Sequence, residues 1–240
     1  SNAVDATQKL KTISKSGDFS GELGDIAIEV TIDKKKKTLT IKDHGIGMTS
    51  EEVEKYITQI AFSGAEEFIE KYKTQTEKNP IIGHFGLGFY SSFMVSEKVE
   101  IQTKTYKKGP GTKGVKWVCD GSPNYSMEEI DKKDRGTEII LHIEKESEEF
   151  LEEERILSLL KKYCKFLPVE IIFGTEKIYE PTGEKDKEGK EITKEVEKPR
   201  IINNTKPLWI QKPVDLKEED YKSFYHELYP MNFDEPLFNI

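Results

Sequence analysis

The sequence predicts an α+β protein. Ile26, Ile28, Val30 and Ile32 alternate with other residues, and Leu39 and Ile41 resume the alternation up to Asp43. That period of two belongs to strands with one buried face. Val53, Ile57 and Ile60 recur instead at helical spacing, as do Ile156, Leu159, Leu160, Tyr163 and Cys164. Twelve Phe, ten Tyr and two Trp supply enough apolar bulk for a real core, although 34% of the residues are charged.

Along the chain, a helix is expected over roughly Asn2 to Lys11. Lys34 to Lys37 read as a solvated hairpin tip between the first two strands. Thr49 followed by Glu52 is a capping-box pattern, so a helix should begin there. A further helix is expected over Ala65 to Tyr72, and another should carry Phe89, Phe93 and Met94 after a glycine-rich segment. Strands are expected near Val99–Thr105, Val115–Cys119, Thr137–Ile143 and Val169–Phe173. The helical face ending at Cys164 stops before Pro168, because proline disfavours helix at the residue before it. Cys164 on that face reads as core rather than as a reactive thiol. Residues 183–200 are almost all charged or small, which suggests a linker or long exposed loop. Structure should resume at Pro207-Leu208-Trp209 and the face formed by Tyr221, Phe224, Tyr225 and Leu228, too short a stretch to bury much by itself. It reads as the edge of a second domain. There are no internal repeats.

A length of 240 residues suits one domain with an attachment, or two small ones. The net charge of -8 argues against a broad nucleic-acid-binding face but leaves room for a local basic pocket. The two cysteines, Cys119 and Cys164, form no CxxC pair, so zinc and a disulfide framework are poorly supported and a reducing cytoplasm is expected. No apolar run approaches the ~18 residues of a membrane span. Ser1-Asn2-Ala3 reads either as a cloning remnant or as native sequence.

Four short signals carry chemistry. The first is Asp43-His44-Gly45-Ile46-Gly47-Met48, directly after a strand. Close glycines let the backbone approach a ligand, and the aspartate can accept from an exocyclic amine such as that of adenine; the plain alternative is an ordinary Asp-Gly turn. The second is Gly83-His84-Phe85-Gly86-Leu87-Gly88-Phe89, leading into a helix. Free N–H groups at such a start bind anions, though a simple glycine loop would look similar. Neither the Rossmann nor the P-loop motif is matched. The third is Asn2-Ala3-Val4-Asp5-Ala6, with Asn2 and Asp5 on one helix face. An Asn oxygen can ligate Mg²⁺ together with phosphates and waters, and a surface Asn without a role is the alternative. The fourth is Arg135-Gly136-Thr137 at a strand start, where the hydroxyl could meet the base or Asp43.

In this order the four signals resemble the GHKL ATPase superfamily, which includes gyrase B, MutL, sensor histidine kinases and the HtpG-type heat-shock chaperones. Ile60-Ala61-Phe62-Ser63-Gly64, the run Ile82 to Ser91 and Asp134-Arg135-Gly136-Thr137 resemble the HtpG-type chaperones in particular. So do Lys206-Pro207-Leu208-Trp209 and Asp234-Glu235-Pro236-Leu237, which look like the start of that family's middle domain. The resemblance covers nearly the whole chain.

It implies a two-layer α/β sandwich with a mixed, mainly antiparallel sheet covered on one face by helices. It also implies a nucleotide-binding domain over 1–180, a charged linker or exposed loop over 181–200, and the beginning of a middle domain over 201–240. ATP or ADP would lie among the helices. Asp43, with Gly45, Gly47 and Met48, would recognise adenine with Thr137 beside it. Asn2 would hold Mg²⁺. Gly83, His84, Phe85, Gly86, Leu87, Gly88 and Phe89 would receive the phosphates. Ser63 and Gly64 would open a mobile lid that ends in the second glycine motif. Client proteins and a homodimer of the full-length protein are the implied partners, with no nucleic acid and no membrane, and the purine site would admit inhibitors.

There are departures. The family's water-activating glutamate would precede Ser1, its first strand and helix are missing, and its phosphate-contacting arginine would lie beyond Ile240. No catalytic residue is therefore assigned within this chain. Phe62 stands where many relatives carry lysine. The readings set against an ATP-driven chaperone are a nucleotide-gated binding module without hydrolysis of its own, and another GHKL ATPase or histidine kinase. No phospho-accepting His helix is visible to favour a kinase.

Overall fold

The computed structural model describes residues 1–19, 21–59, 65–72, 81–83, 86–109, 112–185, 191–232 and 234. Among the described residues, eight strands form one sheet in the order β5-β4-β3-β6-β2-β1-β7-β8. They are β1 (Ile28–Asp33), β2 (Thr38–Asp43), β3 (Ser96–Lys104), β4 (Gly114–Cys119), β5 (Tyr125–Ile130), β6 (Gly136–Ile143), β7 (Ile171–Lys185) and β8 (Glu191–Ile201). Only β1 and β7 run parallel, and every other pairing is antiparallel. The helices are α1 (Asn2–Ser16), α2 (Ser50–Ile57), α3 (Ala65–Lys71), α4 (Glu153–Tyr163) and α5 (Glu218–Leu228). The mixed, mainly antiparallel sheet of the expected α+β sandwich is therefore present.

Register explains why one face is covered. Val30 lies opposite Ile41, Ile41 opposite Ile139, Ile139 opposite Ile101 and Ile101 opposite Trp117. Directly opposed residues share a face, so these rows make a continuous apolar surface. Val4 of α1, Val53 of α2 and Ile156 of α4 join the same core. The other face carries Glu29 against Lys42, Lys42 against Glu138, and Glu138 against Gln102. A sheet with helices on one side needs that alternation of apolar and polar.

The capping box forms as expected: Glu52 N–H donates to Thr49 Oγ1 (3.2 Å), and Thr49 N–H donates to Glu52 Oε2 (2.8 Å). Cys164 packs against the core, and burial pushes its thiol pKa up, as suits an unreactive side chain. Tyr163 departs from the expected buried face and is exposed. The segment with Phe89, Phe93 and Met94 is a 3-10 helix over Gly88–Met94, and it leaves Met94 exposed. Strand β5 matches no alternation, because it is an exposed edge.

The largest difference from the sequence reading falls at 181–200. Rather than a loop, most of this stretch extends a ribbon: Glu176 pairs with Lys198, Lys177 with Glu197 and Glu180 with Lys194. Lys177 Nζ lies 2.6 Å from Glu195, and Lys198 bridges to Glu180. Charge that reads as linker composition is here arranged as opposite-sign cross-strand neighbours. Beyond the ribbon, Phe166, Trp209 and Phe224 form a ring cluster with centroids 4.8–5.8 Å apart, Trp209 edge to face with both phenylalanines. Asn203 ties the return together, donating from Nδ2 to Leu167 O and Val169 O and accepting from Ile171 N–H.

Candidate nucleotide site

Three adjacent strands place the site. Asp43 ends β2, Thr137 lies opposite it on β6, and Thr103 lies opposite Thr137 on β3. This polar row continues the apolar face beneath the helices. All three side chains are buried, Asp43 to 6% exposure. Asp43 Oδ1 accepts from Gly45 N–H (2.8 Å) and Thr137 N–H (3.4 Å). Oδ2 receives no hydrogen bond among the described residues, so one carboxylate oxygen is left for a donor from outside. Burial pushes the Asp43 pKa up to about 7, against the opposing pull of the two N–H groups and of Lys132.

The glycines of the first motif are required by close approach. A Cβ on Gly45 would lie 2.5 Å from the Ala6 carbonyl carbon, so α1 presses directly on the loop. Ile46 N–H donates to Ala6 O (3.2 Å), and Tyr106 N–H donates to Ile46 O (2.8 Å). Gly47 has φ +57°, and a Cβ there would stand 1.8 Å from Lys104 O. Met48 leaves the loop with its N–H donating to Thr103 Oγ1 (2.9 Å).

The second motif is joined to the first helix by Asp5, which the sequence alone places only beside Asn2 on a helix face. Asp5 is buried, and its carboxylate accepts from Ile82 N–H and Gly83 N–H, each at 2.8 Å. A carboxylate thus already occupies the Gly83 N–H expected to meet phosphate. Asn2 is exposed and makes no side-chain hydrogen bond among the described residues. A Cβ built on Gly83 would lie 3.5 Å from its Oδ1, so the Asn2 amide stands beside this segment. Lys9, one turn beyond Asp5, belongs to no sequence motif. Its Nζ lies 5.3 Å from the Phe68 ring centroid, and burial lowers its pKa, partly offset by Asp5 and Glu52.

Gly86 has φ +64°, and Leu87 and Gly88 are exposed at the start of the 3-10 helix. Phe89 turns into the core, 5.7 Å from Trp117 between ring centroids, so only its backbone could meet a ligand. Ser63, Gly64, His84 and Phe85 lie outside the described residues, as do Phe62 and much of the expected lid. Arg135 donates to His44 O (3.2 Å), Glu22 O (3.1 Å) and Leu23 O, bracing the loop between α1 and β1 against the site. Among the described residues, no group of three or more His, Cys, Asp or Glu could hold a metal ion. No helix among them is long and apolar enough to cross a membrane.

A buried carboxylate on a strand end, glycines pressed on a helix and a second glycine segment tied to the same helix are set together in this α+β fold. Residues 1–137 match the family model described as histidine kinase-, DNA gyrase B-, and HSP90-like ATPase. The chain belongs to that family. Residues 175–239 match a second model, described as Hsp90 protein. Among curated relatives, the chain is 58% identical over 238 residues to the chaperone protein htpG of Bacteroides fragilis (strain 638R), covering 99% of this chain and 33% of the relative. It is 55% identical over 238 residues to the HtpG of Porphyromonas gingivalis (strain W83), with the same coverage. It is 39% identical over 245 residues to the HtpG of Fusobacterium nucleatum, covering 100% of this chain and 36% of the relative. The chain thus spans about a third of the length of these relatives.

Proposed function

We propose that this chain is the ATP- and ADP-binding part, with the beginning of the following domain, of an ATP-driven chaperone that remodels client proteins as a clamping dimer. The observation that carries the reading is Asp43: a buried carboxylate with Oδ1 held by two backbone N–H groups and Oδ2 left open. An exocyclic amine supplies the donor that Oδ2 lacks. The names of the relatives support the chaperone role, and the match to an Hsp90 model over 175–239 favours it over a kinase or gyrase. Under this reading the nucleotide-binding domain covers 1–180, and the chain from 201 onward begins the next one. Its home is the cytoplasm.

Mg²⁺ fits the residues present. The Asn2 amide oxygen is a free, neutral oxygen donor beside Gly83, and Mg²⁺ characteristically takes few protein ligands and completes its shell with phosphates and waters. Bound there, the ion would neutralise phosphate charge. Among the described residues, the carboxylates nearest the site have other tasks: Asp43 for the base, and Asp5 for Ile82 and Gly83. Neither is free to activate water, so this chain binds nucleotide without turning it over by itself. Gly86, Leu87 and Gly88 offer the exposed backbone for the phosphates. The Gly83 N–H can join them only when the Asp5 carboxylate gives way. Calorimetry with ADP and Mg²⁺ tests the assignment: Asp43→Asn should weaken binding by roughly 1.5–3 kcal/mol, the contribution of a hydrogen bond to a charged group. Unchanged affinity would remove Asp43 from the base site.

A further inference from the structure

The α4 helix and the end of α5 enclose a groove of about 610 Å³ that shares no lining residue with the candidate nucleotide site. Glu154, Leu157 and Lys161 line one wall, at the spacing that keeps side chains on one side of a helix. Leu228 and Pro230 form the facing wall. Leu157 is half-buried and Leu228 is 39% exposed, so the middle of the groove is apolar and open. Lys165 holds the walls together. Its Nζ donates to Glu227 O and lies 3.7 Å from Glu227 Oε1, while Asn204 Nδ2 donates to Glu227 Oε2 (3.4 Å). A cation suits the free carbonyls at a helix C-terminus. That pairing decides the charge of the groove. Glu227 is answered by Lys165, whereas Lys161 and Lys162 are exposed and form no ion pair among the described residues. Lys162 only lies along its neighbour, with Nζ 5.0 Å from the Tyr163 ring centroid. Glu154, the remaining carboxylate of the lining, stands two turns before Lys161, about 10 Å along the helix axis. The groove therefore has an apolar middle and one cationic end without a counter-charge of its own.

We propose that this groove docks a short acidic segment of a partner protein, with leucine-type side chains between Leu157, Leu228 and Pro230 and adjacent carboxylates on Lys161 and Lys162. Apolar contact supplies the affinity, and the charges select the sign and the orientation. A basic segment would set its cations against both lysines, and an uncharged one would leave them unanswered. Tyr229 and Met231 flank Pro230 in the chain and are 55% and 85% exposed, so they extend the apolar rim. One wall is α4, and the other lies in the stretch matched by the Hsp90 model. An occupant touching both would hold those two parts of the chain together. The proposal needs no nucleotide and stands apart from the adenine reading.

The experiment is fluorescence anisotropy on this chain with the peptide acetyl-Leu-Ala-Leu-Glu-Glu carrying a neutral dye, at ~50 mM salt, where exposed ion pairs are little screened. Wild type should bind it saturably at one site. The double variant K161E/K162E should lose about tenfold, because two attractions become repulsions. The same change of charge at the hairpin tip, K35E/K36E, should stay within about twofold of wild type. Leu228→Ser should lose about fivefold through its apolar contact. The peptides with Ser in place of Leu, or Lys in place of Glu, should each bind at least about tenfold more weakly. Absence of saturable binding to wild type overturns the proposal. So does unchanged affinity in K161E/K162E, which puts the peptide elsewhere. An equal loss in K161E/K162E and K35E/K36E also overturns it, since that is general attraction to charge, as does equal binding of the Ser peptide. Should circular dichroism show K161E/K162E unfolded, K161Q/K162Q replaces it: its affinity should fall about threefold, and unchanged affinity overturns the proposal.

Discussion

The two ends of the candidate site are built from different materials. The base end is a row across three paired strands, Asp43, Thr137 and Thr103, whose positions follow from ladder register. The phosphate end is a glycine segment tied to α1 by the two hydrogen bonds of Asp5. Register is a collective property, so moving Asp43 means breaking many backbone hydrogen bonds at once. Letting go of Ile82 and Gly83 means losing one carboxylate. A stiff end that reads the base, joined to an end held by a single side chain, suits a site that must choose its ligand and also respond to it.

The comparison can be broken hardest at the base end. Gly47→Ala places a Cβ 1.8 Å from Lys104 O at a residue with φ +57°. Backbone strain and overpacking add, so stability should fall by about 3 kcal/mol or more in denaturant unfolding. Gly88→Ala, where a Cβ meets nothing within 4 Å, should lose less than about 1 kcal/mol. Similar losses at both would erase the contrast in stiffness.

Asp43→Asn separates binding from folding at that end. It should lose the roughly 1.5–3 kcal/mol of binding already stated, yet the nucleotide-free domain at pH 8 should be no less stable, and more stable by about 1 kcal/mol. The reason is that the buried carboxylate, with its pKa raised to about 7 by burial, is charged at pH 8 at a cost to the fold. Thermal unfolding checks this, and a clear destabilisation would mean the charge is stabilising where it stands.

The same pKa fixes the sign of two pH dependences. The folded value of about 7 lies above the unfolded value of roughly 3.9. Between them the folded state holds the extra proton, so the stability contributed by Asp43 is full below about pH 4 and lost as pH rises through 7. Nucleotide binding should move the other way, because the amine needs the ionised acceptor. ADP affinity should be constant above about pH 7.5 and fall below 7, by at most about tenfold per pH unit. Asp43→Asn should flatten that profile. A profile equally steep in the variant would assign the titration to another group.

How far the sequence could be read follows the same division. Asp43 was legible because it ends an alternating strand and is followed by close glycines. Thr137 was legible as a candidate partner of Asp43 from its place after Gly136 at a strand start, and the family resemblance set it beside Asp43. Thr103 was not, because a threonine inside a strand looks like any β-former, and only register brings it to Thr137 across 34 positions. In the sequence Asp5 is only a partner of Asn2 on a helix face. Its bonds to Ile82 and Gly83 span 77 and 78 positions and leave no local pattern. The β7–β8 ribbon was hidden for a different reason: paired opposite charges and unpaired solvated charges have the same composition.

The smallest expected effect concerns that overlooked carboxylate. Asp5→Asn leaves one oxygen to accept, and it turns an NH₂ toward a backbone N–H, so one of the two bonds to Ile82 and Gly83 is lost. Opening of this segment should become easier by about 1–1.5 kcal/mol, which is roughly a tenfold faster exchange of those two amides where exchange proceeds by local opening. The melting temperature should change little, since neither amide belongs to the sheet. The ligand dependence is the sharper test. Adenosine carries the base without phosphates, so its affinity should fall in Asp43→Asn and stay within about twofold in Asp5→Asn. ADP brings phosphates to the glycine segment and should register both changes. In Asp5→Asn two effects oppose each other: a carboxylate no longer repels the phosphates or competes for the Gly83 N–H, but the segment is less ordered before binding. The net change for ADP should therefore be smaller than the change in amide exchange. If Asp5→Asn weakened adenosine as much as Asp43→Asn does, the two ends would be one rigid unit, and the division between a stiff reader of the base and a loosely held phosphate end would fail.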